Sequence, residues 1–144
     1  MVLGAVIIPA MSVDELIHAA WKARDSAYAP YSRFAVGAAL LGENDTLFTG
    51  CNVENISFGL TICAERAAIF AAISARSHRF QHLVIVADTQ QPISPCGACR
   101  QVMAEFATDM QITSCTLSGD RFNSSLGQLL PRAKVGILDH SCST

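Results

Sequence analysis

The chain has 144 residues, of which 51% are apolar and only 15% charged, with a formal net charge of −2. That length and composition describe one globular domain able to bury a real core, and they exclude a disordered chain. The near-neutral balance, with no run of like charges, argues against a nucleic-acid partner, which needs a basic face. A surface so poor in charge also leaves apolar area that copies of the same chain can cover.

The opening "MVLGAVIIPAM" is apolar, but it lacks a basic flank and falls well short of the roughly 20 residues of a membrane span. Residues 1–11 are expected to be an N-terminal extension and residues 12–144 a single domain, with no membrane partner and a cytoplasmic location. In that compartment the six cysteines read as metal ligands or buried thiols, not disulfides.

Ser12 and Glu15 have capping-box spacing, and Leu16, Ile17, Ala20, Trp21, Ala27 and Tyr28 recur at helical intervals. The proline of "APYS" (29–32) is expected to end that helix. "AVGAALL" and "TLFTGCNV" read as strands joined by a hairpin turn at "GEND" (42–45). The Ala-rich stretch 63–76 predicts a helix, and "HLVIVAD" (82–88) a strand covered on both faces. "TQQPISPCGACR" is expected to be a loop and "RQVMAEFA" the helix after it. "ITSCTL", "SGDR" and "FNSS" form a second hairpin, and "LGQLLP" a closing helical turn. The order α-β-β-α-β-α-β-β-α suits a mixed sheet with helices on its faces.

Chemistry gathers at two places. "PCGAC" (95–99) contains a Cys-x-x-Cys, which alone fits a redox pair, half of a structural zinc site, or chance. "ICAER" (62–66) supplies a third cysteine, also at a loop-to-helix junction. Two helix N-termini converging on one point stabilise thiolates through exposed N–H groups and dipoles. Cys63, Cys96 and Cys99 would then hold zinc with one position open, the catalytic arrangement. A closed site would need a fourth ligand from Cys51, Cys115, Cys142 or histidines 18, 78, 82 and 140, none of which stands at ligand spacing. Residues two apart do not face each other within a helix. With Cys63 at the cap, however, both it and Glu65 reach the space before the helix, where a carboxylate can move the protons of an activated water. Arg66 reads either as a cation hydrogen-bonded to the sulfurs or as one half of a surface salt bridge.

A Cys-x-Glu followed by Pro-Cys-x-x-Cys is the cysteine form of the zinc deaminase signature. "CNVENISFGLTICAERAA" (51–68), "PCGACRQ" (95–101) and "APYSRFAVGAAL" (29–40) resemble the motifs of the small, homotetrameric cytidine deaminases, over about 12–131. The resemblance implies a three-layer α-β-α fold of the α/β class around a mixed five-stranded sheet. It implies one Zn²⁺ per subunit on Cys63, Cys96 and Cys99, and Glu65 as the proton shuttle. The substrate implied is a pyrimidine nucleoside, cytidine or deoxycytidine, deaminated with release of ammonia. Asn52 and Glu54 would bind the ribose hydroxyls, with turn chemistry as the alternative. Phe34 would lie beside the pyrimidine, or be a core residue, and the backbone of Ala64 would contact the base. Tyr31 belongs to the pocket wall or the core. Ile56 and Phe58 fall where the family places residues from a neighbouring subunit, implying a homotetramer with shared sites. Gly37, Cys51, Cys115 and Cys142 read as structural, and Met103 and Phe106 as core.

One departure concerns "LLPRAKVGILDH", where Lys134 stands near the family's usual aromatic and Val135 or Ile137 would have to rebuild the lid. The competing readings are a deaminase of a related aminopyrimidine nucleoside such as blasticidin S, a polynucleotide editor, and a non-catalytic zinc-stabilised assembly module. The missing basic groove counts against the editor, and the presence of Glu65 counts against the module.

Overall fold

A computed structural model of the chain describes residues 10–133. The residues expected to rebuild the lid, Lys134, Val135 and Ile137, lie outside that range, as does nearly all of the N-terminal extension.

Helix α1 (Val13–Arg24) starts on the expected capping box: Ser12 N donates to Glu15 Oε2 at 2.7 Å, and Glu15 N donates to Ser12 Oγ at 3.2 Å. Strands β1 (Val36–Gly42) and β2 (Leu47–Cys51) follow as a hairpin. Its 3-10 turn, Glu43–Asp45, places Asn44 at φ 55°, a left-handed conformation that Asn tolerates. Then come α2 (Ala64–Ser74), β3 (Phe80–Ala87), α3 (Gly97–Phe106), β4 (Gln111–Thr116), β5 (Arg121–Ser125) and α4 (Leu126–Leu129). The five strands form one sheet in the order β2-β1-β3-β4-β5, with β3 and β4 parallel and the other pairs antiparallel. The expected element order and mixed sheet are both present.

The sheet is buried on both faces. On one, Leu16, Ile17 and Ala20 of α1 pack against Ala39, Leu41, Val84 and Val86. On the other, Ala68 and Ile69 of α2 and Met103 of α3 pack against Leu40, Leu83 and Ile85. Each large side chain so buried contributes about 1.5–3 kcal/mol relative to exposure. Phe106 packs at the margin of this second layer, edge-on to Phe80 with ring centroids 5.8 Å apart.

Two glycines set the layer spacing. A Cβ on Gly37 would meet Ala20 O and lie 2.8 Å from Arg24 N, so α1 rests directly on the β1 backbone. A Cβ on Gly50 would meet Ala68 N and Ala64 O, so the first turn of α2 lies on β2 in the same way.

Two helix limits differ from expectation. Helix α1 stops at Arg24, before Ala27 and Tyr28, because Tyr28 N is taken by Asn52 O at 3.0 Å and Tyr28 pairs with Val53 beyond β2. Helix α3 starts at Gly97, inside the segment expected as a loop, with Cys96 as its N-cap. A proline just before a cap and a glycine at the first helical position are compatible with a helix start as well as with a turn.

Register then places the site. Val36 lies opposite Ala87, and Gly37 opposite Cys51. The start of β1 and the ends of β2 and β3 therefore share one end of the sheet, and the connections from β2 and β3 lead into α2 and α3.

Gly37→Ala is expected to lower stability by about 1–3 kcal/mol, because the added methyl meets backbone that cannot yield without moving α1. Urea denaturation checks this, and a loss below about 0.5 kcal/mol would contradict the close approach.

Candidate active site

Cys63 is the N-cap of α2 and Cys96 the N-cap of α3, both in extended conformation at ψ 156° and 165°. Cys99 lies in the first turn of α3 and is buried. The three sulfurs lie within 4.8 Å of one another, with Cys63 Sγ and Cys96 Sγ 3.9 Å apart. A tetrahedral ion with metal–sulfur bonds of about 2.3 Å needs sulfurs about 3.8 Å apart, so the donor set fits zinc in number, chemistry and spacing. Among the described residues this is the one group of three or more such donors. Cys51, Cys115, His18, His78 and His82 stand outside it, and Cys142 and His140 lie outside the described residues.

Arg66, one turn into α2, directs Nη2 to Cys63 Sγ at 3.5 Å and to Thr61 O at 3.4 Å. The salt-bridge alternative is not what forms: among the described residues the ion pair is that of Arg121 with Asp14. A hydrogen bond from Cys99, together with Arg66, brings the Cys63 thiol down to about 5 against the opposing effect of burial. The same bond raises the Cys99 thiol, since Cys99 is the donor. One sulfur is thus already poised as an anionic ligand at neutral pH.

Glu65 is 4% exposed. Burial, helped by the nearby Cys63 charge, pushes its carboxyl up to about 7. A carboxyl there exchanges protons readily near neutrality.

These groups open on a cavity of about 340 Å³ lined by Phe34, Asn52, Glu54, Cys63, Ala64, Glu65 and Cys96 among others, at the small end of ligand pockets. Seven of the sequence candidates thus share one wall. Phe34 is 40% exposed and faces the cavity, so its alternative as a core residue falls. Tyr31 is also exposed, and with Phe58 it lines a neighbouring hollow of about 240 Å³. Its alternative as core falls too. Ile56 and Phe58 are 78% and 72% exposed and lie outside the main cavity.

Asn52 and Glu54 face the same cavity, as their alternation requires. Both also hold backbone. Asn52 Oδ1 accepts from Val36 N at 2.9 Å, and its Nδ2 donates to Phe34 O at 2.7 Å. Glu54 Oε1 accepts from Tyr31 N at 2.9 Å and Ser32 N at 3.0 Å, while Oε2 accepts from Ser32 Oγ. The Ser32 hydroxyl, and after it the Ser32 N–H, hold the Glu54 carboxyl below the usual carboxylate range.

Sequence reasoning missed Arg100. Its guanidinium donates to Pro95 O at 2.8 Å, Ser94 Oγ at 2.9 Å and Leu129 O at 3.0 Å. It thereby clamps the segment before Cys96 to the end of α4. Its place directly after the second cysteine of the pair was the available signal, but the acceptors are visible only in the fold. Thr61, Ile93 and Ser94, further cavity residues, carried no sequence signal.

Residues 11–115 match the family model described as "Cytidine and deoxycytidylate deaminase zinc-binding region". The chain belongs to the cytidine and deoxycytidylate deaminase family. A cytidine deaminase of Sporosarcina psychrophila is 50% identical over 124 residues, 85% of this chain and 91% of that protein. The crystal structure of cytidine deaminase from Burkholderia pseudomallei superposes with a TM-score of 0.83 at 48% identity, covering 85% of this chain and 99% of that one. That from Mycobacterium tuberculosis gives a TM-score of 0.75 at 41% identity, covering 86% and 98%. The expected fold, the three-layer α/β arrangement of the cytidine deaminases, is therefore present, and zinc is the family's metal for the three cysteines.

Arg66→Gln is expected to leave the fold intact but weaken zinc binding about 10- to 100-fold, because the hydrogen bond and charge at Cys63 are lost. Competition with a chromophoric chelator measures this, and an affinity within twofold of the parent would contradict it.

Proposed function

We propose that the chain deaminates cytidine and 2′-deoxycytidine hydrolytically, giving uridine and 2′-deoxyuridine with release of ammonia, as a step of pyrimidine salvage. The observation that carries this reading is the buried Glu65 lining one cavity with Cys63 and Cys96 of the three-thiol group.

Cys63, Cys96 and Cys99 would hold the zinc, which would supply a water of lowered pKa. Glu65 takes one proton from the attacking water and passes it to N3 of the pyrimidine, which makes C4 electrophilic as the water oxygen adds there. Glu65 then takes the remaining proton from the new C4 hydroxyl and delivers it to the exocyclic amine, so that C4–O becomes the carbonyl as the C4–N bond breaks and ammonia leaves. One carboxyl held near neutrality serves both transfers. Phe34 packs beside the ring, and the backbone of Ala64 contacts the base. Asn52 and Glu54 use the hydrogen-bonding positions left free by their backbone contacts to bind ribose hydroxyls.

The working unit in this reading is a homotetramer with shared sites, formed by the single domain 12–144. The exposed apolar side chains of Val53, Ile56, Phe58 and Leu60, all on the segment that leads into α2, support it. The cytoplasm is the compartment we assign, in keeping with free thiols at Cys51, Cys63, Cys96, Cys99 and Cys115. Among the described residues no helix is long and apolar enough to cross a membrane.

Glu65→Ala is expected to keep zinc and assembly yet lose about 100- to 10,000-fold in turnover of cytidine. A variant within tenfold of the parent would remove Glu65 from the mechanism. Sedimentation at micromolar concentration is expected to give a particle of about four 15.4 kDa chains. A monomer that is fully active would overturn the shared-site reading.

A further inference from the structure

Among the described residues Glu54 has no cation partner, and its carboxylate is held by the loop at 31–32. A carboxylate offers about four lone-pair positions. Two on Oε1 are taken by the N–H groups of Tyr31 and Ser32, and one on Oε2 by the Ser32 hydroxyl. Among the described residues nothing takes the remaining position on Oε2, and Glu54 lines the cavity.

Ser32 is the group that decides where that last position points. Its hydroxyl has a single proton, given to Glu54, and its oxygen accepts from Phe34 N at 3.0 Å. The carbonyl of Phe34 is held in turn by Asn52 Nδ2 at 2.7 Å. Both sides of Phe34's backbone are therefore pinned by residues of the sugar end of the cavity, the N–H through Ser32 and the carbonyl through Asn52. Ser32 itself also lines the cavity.

We propose that Ser32 is a positioning residue for substrate discrimination: through Glu54 and Phe34 it couples recognition of the sugar to the placement of the aromatic wall, and so favours nucleosides over free bases. This rests on the reading of Glu54 as a sugar contact. Without the hydroxyl, Oε2 is no longer held, and the N–H of Phe34 loses its acceptor. Substrates with a sugar then lose binding that a bare base never had.

The test compares Ser32→Ala, Ser32→Thr and Glu54→Gln, with the double variant, on zinc-loaded protein with cytidine and cytosine. Ser32→Ala is expected to lose roughly 10- to 30-fold in kcat/KM on cytidine, chiefly through KM, and at least fivefold less on cytosine. Ser32→Thr, which keeps the hydroxyl, is expected to recover most of that loss. In the Glu54→Gln background the effect of Ser32→Ala should shrink to under about threefold, because its partner is already impaired. Equal losses on both substrates, or full additivity with Glu54→Gln, would overturn the inference. The underlying reading fails separately: a Glu54→Gln variant equally impaired on cytidine and cytosine would remove the sugar contact itself. Discrimination lost in Glu54→Gln but kept in Ser32→Ala would sink only the role of Ser32. Thermal midpoints of the variants show whether a loss reflects unfolding.

Discussion

Three sulfurs confined within 4.8 Å repel one another once ionised, and the fold is arranged around making that arrangement tolerable. Cys63 and Cys96 cap two helices that begin at the same end of the sheet, where unpaired backbone N–H groups and helix dipoles favour negative charge. Neither cap is a residue usually chosen for the purpose, and neither sulfur accepts a capping bond from the backbone of its own helix. Those positions are given over to holding a metal. The cost is offset by the packing that brings the helix starts together: α2 lies flush on Gly50, and Met103 of α3 is buried in the core that Ala68 and Ile69 of α2 share.

The same economy runs through the rest of the cavity. Asn52 and Glu54 close the backbone around the start of β1 and the 31–34 loop, and they face the cavity with what hydrogen-bonding capacity remains. Arg66 and Arg100 serve as internal braces, one at a sulfur and one at the carbonyl before a ligand. A guanidinium suits such places because it keeps its charge and offers several donors in a fixed plane. In the proposed function, recognition and stability thus rest on shared residues. A substitution in this wall will seldom affect one without the other.

Legibility in the sequence followed the distance between partners. Cys63, Glu65 and Arg66 lie within four positions, and Cys96 and Cys99 within four more, so spacing picked out each half of the site. That the halves, 33 positions apart, meet rested on both standing at helix starts and on the family resemblance. The capping box of α1 was equally local. Where the deciding contact was remote, the reading stopped short. Helix α1 ends at Arg24 because Tyr28 pairs with Asn52 and Val53, more than twenty residues away. Ser32 depends on Glu54 and Arg100 on Leu129 across similar gaps, and neither pairing is written in a local pattern. The start of α3 was missed for another reason: Pro and Gly flanking Cys96 are also the residues of a turn, and only the packing of Cys99 and Met103 decides for a helix.

The central claim is that one buried carboxyl and a three-cysteine zinc site act together on a nucleoside. The most direct measurement is ammonia release with matched base conversion, on protein loaded with one zinc per chain and offered cytidine, deoxycytidine, cytosine, adenosine and blasticidin S. Equal amounts of ammonia and uridine or deoxyuridine from the first two substrates, with little from the rest, are the predicted result. Full zinc loading with no ammonia from either cytidine or deoxycytidine would contradict the account.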